Sequence, residues 1–243
     1  MSAWTIVRCE GVDQLDSIFA FLLDLFCEVF GESTMQSEVC QIYNDPHAAC
    51  PMLVTNNTPI RIRLSQPNLA YWTQTIFQLS HELCHYALRQ HKEDKSVILH
   101  WFEEIVCEAM SLYCLKYSAE NWSGCSLSLE NPLYGDSIND YLHNEISNVA
   151  TNEFKHCNTN RSLSLYETNR VSELRREGHI NERNSLYRAI TREPQSIREI
   201  CQYPSYINND GITIDFNSWL HNSNIELVRV LQDIQPVKES PLR

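Results

Sequence analysis

Apolar side chains recur every three to four residues in three long segments of the N-terminal half, a spacing typical of helices with one buried face. The predicted helices cover residues 12–30, residues 68–71 to about 90, and the apolar run 97–102 to about 117. Gly31 is placed to end the first of them, since glycine commonly follows the last residue of a helix.

A second pattern, strict alternation of apolar and polar residues, occupies residues 58–64 and is typical of a half-buried strand. Residues 51–55 precede it, and Asn56 and Asn57 favour a turn between the two segments. We therefore predict a β-hairpin here and a short strand at 4–8. Strands combined with long helices indicate an α+β fold, with a small sheet packed on the second helix.

The C-terminal half has a different character, because the stretch from residue 121 through Gly135 is rich in Ser, Asn, Pro and Gly and predicts a loop. Helical spacing then resumes at 137–154, 167–190, 197–207 and 216–234. We divide the chain into a domain of residues 1–120 and a mainly helical region of residues 121–243, which either forms a second domain or completes the first.

Composition limits the classes of function. The chain has 243 residues, 43% of them hydrophobic, which is enough for a sizeable core. Its formal charge is −12 and it has no basic run, so nucleic acid is not an expected partner. The apolar stretch 18–30 contains Asp24 and Glu28 and is too short to cross a membrane, and the N-terminus lacks the features of a signal peptide. We expect a cytoplasmic protein whose ten cysteines are reduced thiols.

The predicted second helix carries the pentapeptide H-E-L-C-H at residues 81–85. Residues four apart on a helix lie about 40° apart around its axis and one turn along it, so His81 and His85 can bind one ion. A catalytic zinc has three protein ligands, often histidines, with water in the fourth position. Glu82 is rotated by about 60° from His85, which suits a general base beside that water. The pentapeptide thus predicts a zinc site that needs a third ligand.

That third ligand is expected on the next helix, which offers three glutamates. Glu104 and Glu108 are one turn apart and share a face, whereas Glu103 is rotated by about 100° from Glu104. Only Glu104 and Glu108 can therefore serve one site together.

These residues resemble the gluzincin metallopeptidases, in which HExxH is followed by a glutamate ligand on the next helix. In the aminopeptidase branch eighteen residues separate the second histidine from a ligand within W-x-x-E; W-F-E-E at 101–104 has this spacing, although Ile105 replaces the usual glycine. In the thermolysin branch the ligand lies in E-A-x-S-D, and E-A-M-S at 108–111 is similar, three residues later than usual and with Leu112 instead of the aspartate. ImmA/IrrE-type intracellular peptidases place it in E-A-N with variable spacing.

Within this resemblance, which covers roughly residues 58 to 117, we favour Glu104 as the ligand. The gluzincin pattern often has a small residue three positions after the ligand and an acid four positions after it, and Cys107 and Glu108 occupy those places. Glu108 would then hydrogen-bond a metal-bound histidine and fix its orientation. Glu108 as the ligand itself stays the alternative.

The resemblance implies a zincin-like catalytic lobe and a zinc-dependent peptidase. Peptide bonds of a peptide or protein substrate would be hydrolysed by a metal-bound water that Glu82 activates. An edge strand would hold the substrate backbone beside the zinc. The alternative is a zincin-like regulatory module, non-catalytic or highly specific, that acts through a protein partner as ImmA/IrrE-type proteins do. A gluzincin normally has a Tyr or His donor that stabilises the oxyanion. The sequence offers many tyrosines, including Tyr113, Tyr117, Tyr134 and Tyr141, and this role stays unassigned.

Overall fold

The computed structural model describes residues 4–8, 10–95, 97–173, 177–223 and 225–237, with the side chains of 170–173 left aside. It shows a mixed α+β fold, which confirms the predicted class. The strands are β1 Trp4–Ile6, β2 Cys40–Asn44, β3 Met52–Val54 and β4 Ile60–Leu64. The helices are α1 Val12–Phe30, α2 Glu32–Met35, α3 Trp72–Gln90, α4 His100–Glu120, α5 Tyr134–Ser147, α6 Asn160–Glu173, α7 Ile180–Arg192, α8 Ile197–Ile200, α9 Phe216–Asn222 and α10 Glu226–Ile234.

The chain divides into two compact units, Met1–Gln90 with Met110–Glu145, and His91–Ala109 with Ile146–Arg243, of which only the residues given above are described. The first unit contains the sheet and the helices α1 to α3. The second unit consists mainly of helices and turns. The division at residue 120 stays a prediction. None of the described helices is long and apolar enough to cross a membrane.

The four strands form one sheet in the order β1-β2-β4-β3. Strands β1, β2 and β4 are parallel, and β3 pairs with β4 in the antiparallel direction, with Val54 opposite Arg61. The predicted hairpin is therefore confirmed, and β3 is an edge strand. On β4 the residues Ile60, Ile62 and Leu64 are buried, whereas the intervening arginines are only half-buried. This alternation orients one face of the sheet towards the core.

Helix α3 is held against the sheet along its length. The side-chain carbonyl of Gln78 accepts a hydrogen bond from the backbone N–H of Ser65, just after β4, at 3.0 Å. Nearer the end of the helix, the Tyr86 hydroxyl accepts from the backbone N–H of Glu38 at 3.1 Å and donates to its carbonyl at 3.0 Å. Because Tyr86 is buried, these bonds fix the chain that leads into β2.

The structure also corrects several predictions. Strand β2 was not predicted, because its five residues lie in a polar stretch and form too short a pattern. The single helix predicted at 167–190 is wrong, since a 3-10 turn at Glu177–His179 separates α6 from α7; residues 174–176 lie outside the described part. Glycine suits position 178 in this turn, because a Cβ there would lie 2.8 Å from the Tyr166 hydroxyl oxygen. The helix predicted at 216–234 is likewise two helices, with residue 224 outside the described part.

Candidate metal centre

Helix α3 brings the two motif histidines together as the sequence predicts. The Nε2 atoms of His81 and His85 lie 3.2 Å apart, and the rings are nearly perpendicular at 69°. Two nitrogens that bind one tetrahedral zinc at about 2.0–2.1 Å are separated by about 3.3 Å, from the tetrahedral angle. The observed separation is therefore close to the value that a shared zinc ion requires.

Glu104 completes a group of three possible ligands. Within the part of the chain that the structure describes, His81, His85 and Glu104 each offer one ligand atom, and these atoms lie within 4.8 Å of one another. His81 is buried, whereas His85 and Glu104 are partly exposed. Two imidazoles and one carboxylate form a donor set that zinc accepts in catalytic sites, where it leaves a coordination position for water.

Glu82, the predicted base, follows His81 directly on α3 and is only 3% exposed. A carboxylate so far from bulk water interacts strongly with nearby charges, because the local dielectric constant is low. Its neighbours on the next turn are the buried Tyr86 and the partly exposed His85. Glu82 is thus a buried acid within one helical turn of both candidate ligands.

Glu108, the alternative ligand, is fully buried and has partners of its own. Its Oε2 atom lies 3.2 Å from Nε2 of His179 and 3.4 Å from Nη1 of Arg183. The other nitrogen of His179 lies 2.8 Å from the Tyr166 hydroxyl oxygen. Glu108 is not in the group formed by Glu104 and the two histidines. This network was not predicted from the sequence, although His179 and Arg183 are four residues apart and can share a helix face.

Glu103 has partners different from those of Glu104 and Glu108. Its Oε1 atom lies 2.5 Å from Nζ of Lys92 and accepts a hydrogen bond from the Tyr203 hydroxyl. All three side chains are buried, and the Lys92 ammonium also lies 5.6 Å from the centre of the Tyr203 ring. Burial, together with the negative charge of Glu103, raises the pKa of Tyr203 well above its usual range. The hydroxyl therefore stays protonated and donates to the carboxylate.

The first turn of α4 is fixed by a carboxylate from α6. The two oxygens of Glu167 accept hydrogen bonds from the backbone N–H groups of His100 and Trp101, both at 2.7 Å. Burial raises the pKa of Glu167, although these two bonds oppose the shift. The Trp101 indole donates to the carbonyl of Ile212 at 2.9 Å and is fully buried. The tryptophan of the W-x-x-E sequence thus anchors the helix that carries Glu104.

Two of the tyrosines left open as oxyanion donors, Tyr134 and Tyr141, contact α3. Thr73 donates its backbone N–H to the Tyr134 hydroxyl at 3.4 Å. Seven residues later on α5, the ring of Tyr141 lies 6.3 Å from the ring of Phe77, one turn before His81. Tyr141 is therefore the nearer of the two to the motif along α3.

No protein-family profile, curated protein or solved structure matches this chain. Any function of the site has to be inferred from its own side chains and their geometry.

Proposed function

We propose that the protein is a zinc-dependent peptidase of the gluzincin type. One observation carries the proposal: His81, His85 and Glu104 lie together, with the buried Glu82 in the same turn of α3. This arrangement combines three possible protein ligands, which would leave the fourth position of a tetrahedral zinc to water, and a separate carboxylate. Metal-assisted hydrolysis needs these groups in one place.

In this proposal His81, His85 and Glu104 hold the metal. A zinc ion bound there would supply a Lewis acid that lowers the pKa of water and polarises the scissile carbonyl. Glu82 accepts the proton of the attacking water and delivers it to the leaving amine. Its burial favours this role. A proton that Glu82 has accepted is shielded from exchange with bulk water until it reaches the leaving amine.

The sheet supports a peptide as the substrate. In the proposed zincin-like lobe, the edge strand β3 offers backbone groups that no further strand of the described sheet covers. An extended peptide can pair with such an edge, where backbone hydrogen bonds give affinity and side chains give selectivity. The proposed substrate is accordingly an extended stretch of a peptide or protein.

The test is Glu82→Gln, which keeps the size of the side chain and removes the base. We expect one zinc per chain by atomic absorption, as in the wild type, and cleavage of a broad peptide library slower by about 10²- to 10⁴-fold. Glu93→Gln, which changes an exposed glutamate in the loop after α3, is the matched control and should cleave normally. Wild-type rates in the Glu82→Gln protein would rule out the mechanism. Capture of a protein partner without cleavage would favour the regulatory module.

A further inference from the structure

A cavity of about 500 Å³ lies at the closed end of the β3–β4 hairpin. It is lined by residues just before β2, in the hairpin turn, at the start of β4 and at the end of α3: Glu38, Val39, Thr55, Asn57, Thr58, Pro59, Ile60 and Arg89. Its volume falls within the range of about 300–1,000 Å³ for ligand pockets, which is enough for one or two amino-acid residues of a peptide.

The cavity lies one helical turn beyond the candidate metal ligands. Arg89 follows His85 by four residues, as His85 follows His81, so the three side chains lie on one face of α3. Each step of four residues advances about 6 Å along the helix axis. The Arg89 position is therefore about 6 Å from that of His85 and about 12 Å from that of His81 along α3.

The β3–β4 hairpin lies beside the part of α3 that contains His81, His85 and Arg89. Strand β4 ends beside Gln78, as the hydrogen bond from Ser65 shows, and begins at Ile60, which lines the cavity together with Arg89. Residues 60–65 of a strand span about 16 Å, and so do residues 78–89 of a helix. Strand β3 is paired with β4, so it also lies beside the part of α3 that contains both histidines. A peptide paired with β3 would extend from the histidines towards the cavity.

The charged residues that line the cavity indicate which side chain or terminal group of such a peptide would bind in it. Arg89 and Glu38 are the charged residues of the lining. Glu38 is held by the backbone bonds to Tyr86, and its carboxylate accepts from Nε2 of Gln90 at 3.4 Å. A guanidinium binds a carboxylate through two parallel hydrogen bonds, a geometry that lysine does not reproduce. The negative charge of Glu38 repels an anion and therefore weakens the binding of a carboxylate by Arg89.

We propose that this cavity is a substrate subsite, in which Arg89 binds a carboxylate of the peptide one or two residues away from the scissile bond. The inference rests on the proposed peptidase function and adds the substrate class: peptides with an acidic residue, or with their C-terminal carboxylate, at that position. Arg89 is then a specificity-determining residue and takes no part in the bond cleavage.

The test measures binding separately from cleavage. The probes are N-acetylated, C-amidated hexapeptides of alanine and one tyrosine, with a single glutamate or, in the matched set, a glutamine at each position. A third set has a free C-terminal carboxylate and no glutamate, which distinguishes the two sources. Calorimetric titration of the zinc-loaded Glu82→Gln protein should show, at one position or for the free carboxylate, about tenfold tighter binding than the matched neutral peptide, as expected for a bond to a charged group.

Two further changes in the same background should act in opposite directions. Arg89→Gln should abolish the preference for the anionic peptide, while Glu38→Gln should increase it by about threefold, because a repulsive charge is removed. Arg89→Lys should keep only part of it. Equal binding of glutamate and glutamine peptides at every position, a preference that survives in Arg89→Gln, or no binding at millimolar peptide would each overturn the inference. If wild type cleaves peptides without the preference, this inference alone fails; if the preference exists without cleavage, the proposed function fails.

Discussion

The three glutamates of the first turns of α4 show how one helix separates chemical roles. Glu103 contacts Lys92 and Tyr203, Glu108 contacts His179 and Arg183, and Glu104 lies with the two motif histidines. Glu103 is rotated by about 100° around the axis from Glu104, whereas Glu108 shares the face of Glu104 but lies one turn, about 6 Å, further along the helix. The two buried carboxylates lie beside cations, as buried charges generally must. Glu104 is the glutamate that the helix directs to the metal group.

This separation predicts different effects of the two substitutions Glu104→Gln and Glu108→Gln. Glu104→Gln removes a ligand and should weaken zinc binding by at least about 100-fold in a competition titration with a chelator. Glu108→Gln should change the zinc affinity much less but lower the free energy of unfolding by about 3 kcal/mol in urea, because Arg183 loses its buried partner. The reverse pattern would make Glu108 the ligand.

Asp210 gives a prediction about pH. It accepts hydrogen bonds from the backbone N–H groups of Ile212 at 2.9 Å and Thr213 at 3.0 Å, and from the side chains of Thr213 and Asn160. Partial burial alone would raise the pKa of its carboxyl, but these bonds outweigh that effect and lower it from 3.8. The folded state therefore favours the ionised carboxylate of Asp210. The resulting contribution to the free energy of unfolding is fully present above the pKa that Asp210 has in the unfolded chain. It is lost as the pH falls through the lower pKa of the folded state.

We therefore expect Asp210→Asn to be less stable than the wild type at pH 7, by under about 1 kcal/mol because the site is exposed to solvent. The difference should shrink as the pH falls below about 4. Urea unfolding at a series of pH values measures it. A difference that stays constant down to pH 2 would mean that the charge of Asp210 contributes nothing.

At the residue scale, contacts between residues close together in the sequence could be predicted. The spacing of His81 and His85 determines that they share a face of α3, so their approach to 3.2 Å follows once the helix is recognised. The partners of Glu103 and Glu108 could not be found in this way. Tyr203 and His179 are separated from them by many residues, and only the packing of helices in the second unit brings them into contact.

At the scale of elements, α4 depends on side chains from other parts of the chain for the placement of its first turn. Glu167 accepts the N–H groups of His100 and Trp101, which no residue within the helix can bind. A carboxylate at this end of a helix also interacts favourably with its dipole. Lys92 and Tyr203 hold Glu103, one residue before Glu104. The position of Glu104 is thus set by contacts that do not involve the metal.

Glu167→Ala should therefore affect both stability and metal binding. The loss of a helix cap lowers the free energy of unfolding by about 1–2 kcal/mol. Zinc affinity should also fall severalfold, because the turn that presents Glu104 loses its anchor. Glu167→Gln keeps one acceptor oxygen and should lie between this variant and the wild type in both measurements. Unchanged zinc affinity in Glu167→Ala would show that the cap supports only the fold.

Long elements with strong periodicity were predicted well, and short ones were not. The bounds of α1 were predicted correctly, since its apolar face extends over five turns and Gly31 follows it. Strand β2 was missed because it is defined by its pairing: Cys40 to Ile42 lie between β1 and β4, which are distant in sequence. The break between α6 and α7 was missed because the helical spacing continues through it, and the close approach of Tyr166 to Gly178 in the turn is a contact that spacing does not reveal.

At the scale of the whole molecule, a metal ion bound at the proposed site is expected to stabilise the folded chain. A ligand that binds only the folded state, present at 100 times its dissociation constant, adds about 2.7 kcal/mol to the free energy of unfolding. Zinc should raise the melting temperature of the wild type, and removal with a chelator should reverse the increase. His85→Ala should show neither effect in the same calorimetric scan. An equal shift in this variant would indicate that zinc binds elsewhere.

If the two imidazole nitrogens, 3.2 Å apart, bind a metal as proposed, their chemistry also bears on which ion the site would hold. Two histidines and a carboxylate bind divalent metals in the Irving–Williams order, in which Cu²⁺ binds more tightly than Zn²⁺ and Ni²⁺ also competes. Selection of zinc then depends on the supply of metals around the protein more than on its ligands. A preparation that has passed over immobilised nickel would carry a mixture of ions, and its activity would reflect that history until the metal is exchanged.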